Sequence, residues 1–433
     1  DYLVHDTPLL ITYNQVLKEE TFTSTSKQFK DEDWDAFCNK VRTFVIPNLP
    51  EIILERFATV RRVEELGMGI LIGRPWSKGG MDAIVKMLGL YDNPNAKQLN
   101  EADLTKIDQS ISDVLVNIYF SSGLLYYDKT HPLYEKLKKV TRTLIEEMCQ
   151  RVTHIVNGVW AVVCGGVPSG VLDTSHMDSW ILLFLFCLFC LHVAYLNPQH
   201  AKEIYECMVD NIIYKVKNPT ISFLCYGDDH WYVIPWTELH TMLNIHCFSA
   251  WLKTYFGMEM RDQRSGHSLI STHKNGCLLE KGGVILRHYC VLNPEKGPRQ
   301  ARYLPYRPMR EILLKVVFGR EPRARDPWNI LASCLGHAYG TYASNRHTYH
   351  YLYCLYQSGL YKLDLSEGYV LRRLESHAEK DDIRKMRQLD ISAAELYAGF
   401  PTWAQLVEKN EYDEQYHDLK ARKYEVHYSR GEE

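Results

Sequence analysis

The sequence predicts a mixed α and β protein whose C-terminal third is helical. Three observations carry this. Apolar runs bounded by turn residues at 158–164, 221–226 and 231–235 have the length and flanks of strands. Residues 133–149 and 196–216 space their apolar side chains at helical intervals. From about 305 onward the pattern becomes mostly helical, as at 309–317 and 327–335, with a tyrosine-rich stretch at 349–361. Taken in order, residues 1–107 mix short strand-like runs (43–46, 69–72) with charged turns. The runs 221–226 and 231–235 flank Gly227-Asp228-Asp229 and read as a hairpin closed by a Gly-Asp turn. Residues 284–292 are a further strand candidate.

A chain of 433 residues exceeds one compact core and calls for two or three packed subdomains. With 46% hydrophobic and 24% charged residues it has the composition of a globular protein. The net charge of −3 excludes a polybasic coat for nucleic acid but leaves room for a local basic channel. One such run exists: 296–325 holds nine Lys and Arg against Glu311 and Glu321. It is either a solvated face or a surface that tracks phosphates. Twelve cysteines without regular spacing point to a reduced, intracellular protein, and no matched CxxC pairs suggest a zinc ribbon. The chain opens at Asp1 without a methionine, as expected of a fragment or processed product.

Residues 180–196 (WILLFLFCLFCLHVAYL) are nearly all apolar. The stretch falls short of the roughly 20 residues a bilayer needs, contains His192, and lacks basic flanks. A helix buried on all sides of a large core is the expectation, and no transmembrane anchor.

Chemistry concentrates in three places. Asp228 and Asp229 put adjacent carboxylates on a tight turn, an arrangement costly unless a cation such as a hard divalent metal neutralises it. Upstream, Asp108-Gln-Ser-Ile-Ser-Asp113 follows a short apolar-polar stretch and leads into a helix; a strand ending at Asp108 supplies one ligand, with Asp113 as a nearby acceptor. Between them, Gly165-Gly-Val-Pro-Ser169-Gly170 forms a loop whose backbone can approach a ligand closely. Thr174 and Asp178 then share one helix face.

The order DxxxxD, GGxPSGxxxTxxxD and YGDD resembles motifs A, B and C of viral RNA-dependent RNA polymerases, most nearly the picornavirus-like and partitivirus-like groups. Lys18-Glu19-Glu20 and Lys40-Val-Arg42 resemble the basic F motif, Val284-Ile-Leu-Arg287-His-Tyr289 the E hairpin, and Phe256-Gly257-Met-Glu-Met the core of motif D. The resemblance spans roughly 18–310. It implies an α+β right-hand fold with fingers, an antiparallel-sheet palm and a helical thumb. Fingers would occupy 1–107, palm 108–135, a fingers/palm helix 136–158, palm again 159–292, and thumb 293–433. It also implies template-directed RNA synthesis by two-metal nucleotidyl transfer, with Asp108, Asp228 and Asp229 holding two Mg²⁺ or Mn²⁺ ions. Lys40 and Arg42 would neutralise the incoming triphosphate. Asp113, Ser169, Gly170, Thr174 and Asp178 would line the nucleotide, and Arg287, Arg299, Arg302 and Arg307 the RNA. The implied partners are RNA template and product, ribonucleoside triphosphates, and other viral replication or capsid proteins. The implied location is the host cytoplasm or the interior of the virion.

The chain departs from the pattern in places. Asp178 stands where many relatives have asparagine, no lysine occupies the motif D general-acid position, although Arg261, Arg264 and His267 are near, and no G motif is visible. A reverse transcriptase would also satisfy YxDD. Its aromatic sugar check is replaced here by Asp113, a carboxylate able to accept from a 2′-hydroxyl. An inactive RNA-binding module is disfavoured because bare paired carboxylates are costly to retain.

Overall fold

The computed structural model describes residues 13–18, 42–47, 54, 69–154, 158–168, 174–209, 220–317, 327–368 and 391–417, apart from positions 73, 106, 296, 298, 393, 396, 397, 414 and 415. Strand β1 (Tyr13–Lys18) pairs antiparallel with β2 (Arg42–Pro47), and β3 (Lys97–Leu104) follows the helix Gly80–Met87. Strands β4 (Gln150–His154) and β5 (Trp160–Cys164) are antiparallel, and β4 runs parallel to β1, giving the sheet order β2-β1-β4-β5. Strands β6 (Ser222–Tyr226) and β7 (Asp229–Pro235) flank the Gly227 turn, and β8 (Met260–His267) follows the helix Ile245–Phe256. With β3 these make a fully antiparallel sheet of order β6-β7-β3-β8. Then come the pair β9 (Thr272–Lys274) and β10 (Cys277–Glu280), and a small sheet of β11 (Val284–Ile285), β12 (His288–Leu292) and β13 (Tyr303–Tyr306). Beyond it the helices Met309–Val317, Pro327–Tyr339, Arg346–Lys362 and Trp403–Lys409 supply the helical C-terminal part. Helices and antiparallel sheets in this arrangement make an α+β fold.

The sheet β6-β7-β3-β8 is covered on both faces, and strand alternation assigns the faces. Ala102, Leu104, Phe223, Cys225, Tyr232 and Ile234 point to one side, into the largest core, where the helix Thr174–Leu196 lies. That helix is apolar all round and buries Phe186 between Phe223 (ring centroids 4.5 Å) and Tyr232 (4.9 Å). Burying each such ring contributes about 1.5–3 kcal/mol. Although long and apolar enough to cross a membrane, the helix has a little over half of its most apolar window buried in this core, 56%. It stops at Leu196 because Pro198 cannot continue it; of the expected helix at 196–216 the described residues form Ala201–Met208, and 210–216 lie outside the described residues. Leu99, Leu224, Trp231 and Val233 point to the other side, against Met81 and Val85 of the helix Gly80–Met87 and against Ile285, Cys290 and Tyr303 of the small sheet.

Two further sequence expectations change. The run 284–292 is not one strand: Leu286 (φ 50°) and Arg287 (φ 60°) are left-handed and fold it into the β11–β12 hairpin. The run 69–72 contributes a single parallel bridge, Ile70 to Cys225, because Gly69 (φ 90°) lies so close that a Cβ there would meet the Phe223 carbonyl oxygen at 2.2 Å. The helix Ile245–Phe256 is bounded as its sequence dictates, with the Asn244 side chain accepting from the N–H groups of His246 and Cys247 and left-handed Gly257 closing it. The cysteines among the described residues are free thiols.

Candidate active site

The Gly227 turn carries Asp228 and Asp229 where the hairpin passes from β6 to β7. Gly227 is left-handed (φ 62°), and its N–H donates to Ser179 Oγ (2.7 Å). Ser179 Oγ in turn donates to the Ser175 carbonyl (2.6 Å), and the Ser179 carbonyl accepts from Cys225 Sγ. The second turn of the long buried helix therefore fixes the acidic turn from behind.

The partner of Asp228 is Asp103. The spacing DxxxxD occurs twice in succession here, as Asp103–Asp108 and as Asp108–Asp113, and the strand decides between them. Strand β3 ends at Leu104, four residues earlier than expected, because its pairing with β7 and β8 runs out there. Asp103, next to last in the strand, points to the same face as Asp229 and hydrogen-bonds the Asp228 carboxyl. The structure thus gives Asp103 the place beside the turn that the sequence reading gave to Asp108. Strand β3 itself, although it precedes residue 107, is an inner strand of the sheet that bears the turn.

The carboxylates crowd one another in a largely buried place. Burial, and then the hydrogen bond and charge of Asp103, push Asp228 well above the ordinary carboxyl range. Burial, and then Asp103, raise Asp229 to about 6, while the Leu286 N–H (3.2 Å from Oδ2) and the Arg287 charge oppose the rise. Arg261 Nε donates to Asp103 Oδ2 (2.6 Å). Among the described residues no three His, Cys, Asp or Glu side chains form a finished metal cage. Mg²⁺ does not require one, since it is commonly bound by one or two carboxylates together with water and substrate phosphates. Two facing carboxyls, Asp103 and Asp228, with Asp229 alongside, have the charge and donor type for it.

Asp108 belongs to the neighbouring layer. It lies in the short helix Ile107–Ser110, which packs on the helix Thr174–Leu196, and its carbonyl accepts the N–H of Val167 (2.5 Å). The N–H of Gly166 donates to the Ile111 carbonyl, and a Cβ on Gly166 would meet the Asp108 carbonyl at 2.8 Å. Only glycine allows the two loops this close. Thr174 Oγ1 donates to the Pro168 carbonyl (2.9 Å), and Asp178 is buried one turn further on. Arg151, also buried, donates to the carbonyls of Met148, Gly165 and Gly166 at 2.7 Å each. Asp113 is exposed at the start of the helix Asp113–Gly123, where its carboxylate bonds the Cys149 thiol.

The basic residues divide. Arg287 stands at the hairpin tip near Asp229. Arg302 is exposed over the rings of Tyr91 and Tyr303, and Arg299 is exposed while its carbonyl accepts from the Tyr412 N–H. Arg307 turns inward, where burial and the charge of Arg287 lower its pKa. Arg42 opens β2 opposite Lys18, as backbone partners; Lys40, Ser169 and Gly170 lie outside the described residues. The motif D neighbours are committed elsewhere: Arg264 and His267 to Glu101, Arg261 to Asp103.

A family model described as viral RNA-dependent RNA polymerase matches residues 22–272, more than half of the sequence. The chain belongs to the viral RNA-dependent RNA polymerase family. No curated protein matches it. For this polymerase-family chain, sequence reasoning missed Asp103, Glu101 and Ser179. The repeated five-residue spacing and the alternation of Leu99, Glu101 and Asp103 along β3 were the signals available.

Proposed function

We propose that this chain catalyses template-directed RNA synthesis by two-metal nucleotidyl transfer, with Asp103, Asp228 and Asp229 as the metal-holding carboxylates. The observation that carries this reading is the meeting of Asp103 with the Asp228–Asp229 turn across β3 and β7, within a matched polymerase family. Bound there, Mg²⁺ or Mn²⁺ would activate the attacking hydroxyl and steady the leaving pyrophosphate. The chain's own part is positional: Ser179 fixes the turn, the Leu286 N–H orients Asp229, and Arg261 orients Asp103. The four-stranded sheet serves as the palm and the helices from Met309 onward as the thumb.

Asp108, five residues past Asp103, takes over the ribose-sensing role. It sits beside the loop that leads to Ser169 and Gly170, on the layer that holds Thr174 and Asp178. A carboxylate there accepts from a 2′-hydroxyl, which favours ribonucleotides over the aromatic exclusion of a reverse transcriptase. Lys40 and Arg42 are assigned to the triphosphate, Arg287, Arg299 and Arg302 to RNA, and other viral replication or capsid proteins are the expected partners in the cytoplasm or the virion. The test is primer extension on a homopolymeric RNA template with Mg²⁺ or Mn²⁺, comparing the wild type with Asp103→Asn and Asp228→Asn. Asp103→Asn and Asp228→Asn should abolish incorporation. Near wild-type extension by Asp103→Asn would end the assignment.

A further inference from the structure

Two residues before Asp103, on the same face of β3, stands a second carboxylate that the chemistry above does not use. Glu101 is buried, 5% exposed, at the junction of three elements. Its cross-strand partners are Trp231 on β7 and Arg264 on β8. Trp231 Nε1 donates to Oε2 (3.1 Å) and Arg264 donates to Oε1 (2.6 Å), with His267 Nε2 3.2 Å from Oε2. A further donor comes from outside the sheet: the N–H of Val284, first residue of β11, at 3.0 Å.

The same partners grip the hairpin a second time. Arg264 also donates to the carbonyls of Gly282 (2.8 Å) and Lys281 (2.7 Å), and Trp231 Nε1 lies 2.9 Å from the Val284 carbonyl. A Cβ on Gly283 would come within 3.0 Å of both Leu99 and Trp231, so the strand entering the hairpin lies directly on the sheet. Two residues beyond Val284 the chain makes its left-handed turn. Leu286 and Arg287 are not glycine, and such a conformation is unfavourable unless its surroundings hold it. At that turn the Leu286 N–H reaches Asp229.

We infer that Glu101 is a positioning residue: with Arg264 it clamps the β11–β12 hairpin onto the sheet so that the Leu286 N–H stays on the Asp229 carboxylate. The argument is geometric. One buried carboxylate satisfies donors from β7, β8 and β11 at once, and the hairpin touches an acidic residue of the candidate metal site at its tip. Loss of the clamp frees the tip, and Asp229 loses the group that orients it. Groups that orient metal ligands typically change metal affinity by 10–100-fold when removed. Its consequence for metal binding rests on the proposed role of Asp229, whereas the clamp itself does not.

Glu101→Gln and Arg264→Gln test this in the full chain. Glu101→Gln presents an amide N–H₂ toward Arg264, a donor facing a donor; Arg264→Gln, at a partly exposed position, perturbs folding less. Hydrogen exchange is read at the amides of Val284 and Leu286 and, as a control, along β6 and β7. Mn²⁺ affinity is read by titration calorimetry without RNA. Both variants should exchange about tenfold or more faster at the hairpin, with the control strands unchanged, and bind Mn²⁺ about tenfold more weakly. The double variant should lose little beyond either single one, because both act on one clamp. Unchanged hairpin protection in Arg264→Gln overturns the inference, whereas a loosened hairpin with wild-type Mn²⁺ affinity supports the clamp and overturns its effect on Asp229. A wild type that loses Mn²⁺ binding altogether, or makes no RNA, counts against the proposed activity and leaves the exchange result to decide the clamp.

Discussion

Asp229→Asn is expected to stabilise the metal-free protein at alkaline pH. Burial, and then the Asp103 charge, raise Asp229 from 3.8 to about 6. Two units at about 1.36 kcal/mol each set an upper limit of about 3 kcal/mol on the cost of ionising it in the fold. Its partial exposure brings the expected gain to about 1–2 kcal/mol. Below about pH 4 the folded and unfolded chains both hold the proton, and the penalty is absent. As pH rises the unfolded chain ionises first, so the folded state loses stability through about pH 4–6 and bears the whole penalty above about 7. The amide removes that charge, and its oxygen can still accept the Leu286 N–H. Urea unfolding followed by tryptophan fluorescence, in EDTA, should therefore place the variant level with the wild type near pH 4 and above it near pH 8. Added Mg²⁺ should reverse the order, since only the wild type gains from binding. A variant less stable than the wild type at pH 8 without metal would refute the reasoning.

Asp108→Ala should narrow the preference for ATP over dATP on a poly(U) template by an amount on the order of 1.5–3 kcal/mol, the worth of a charged hydrogen bond, while Asp113→Ala leaves it unchanged; the reverse result would return the sugar check to Asp113. Replacing Arg299 and Arg302 together by Ala should weaken binding to primed RNA and flatten its salt dependence, and an unchanged slope would make them a solvated face. Arg307→Ala, being turned inward, should lower the unfolding midpoint more than it alters that slope. Ser179→Ala leaves the Gly227 N–H without its acceptor and should cost about 1–3 kcal/mol in unfolding free energy, with a change under about 0.5 kcal/mol sinking the support assigned to Ser179.

Sequence periodicity was informative wherever one periodicity dominated. The Gly227 hairpin, the buried helix from Thr174 and the helical C-terminal part are where alternation and helical spacing put them. The sequence reading put Asp108 beside the acidic turn, where the structure puts Asp103, because the five-residue spacing fits Asp103–Asp108 as well as Asp108–Asp113, and local pattern cannot say where a strand stops pairing. That stop is set by β7 and β8, both more than a hundred residues away in sequence. The role of Glu101 was hidden for the same reason: a carboxylate in a strand looks solvated until Trp231 and Val284 are brought over it. Arg307 was read as part of a basic run because charge counting carries no direction, and only tertiary packing turns it inward.

The separation of β3 from β7 has a consequence for how the chain reaches its fold. Glu101 and Trp231 lie 130 residues apart along the chain, yet they are cross-strand neighbours. During synthesis the helices Asp113–Gly123 and Tyr134–Cys149 can form from local contacts, but the sheet that joins Asp103 to Asp228 must wait for β7 to leave the ribosome. Until then β3 has neither of its neighbours, β7 on one edge and β8 on the other, and is an unpaired edge exposed to aggregation. Nascent chains ending before residue 228 would lack the facing carboxylates altogether, so premature termination would yield products without the proposed metal site.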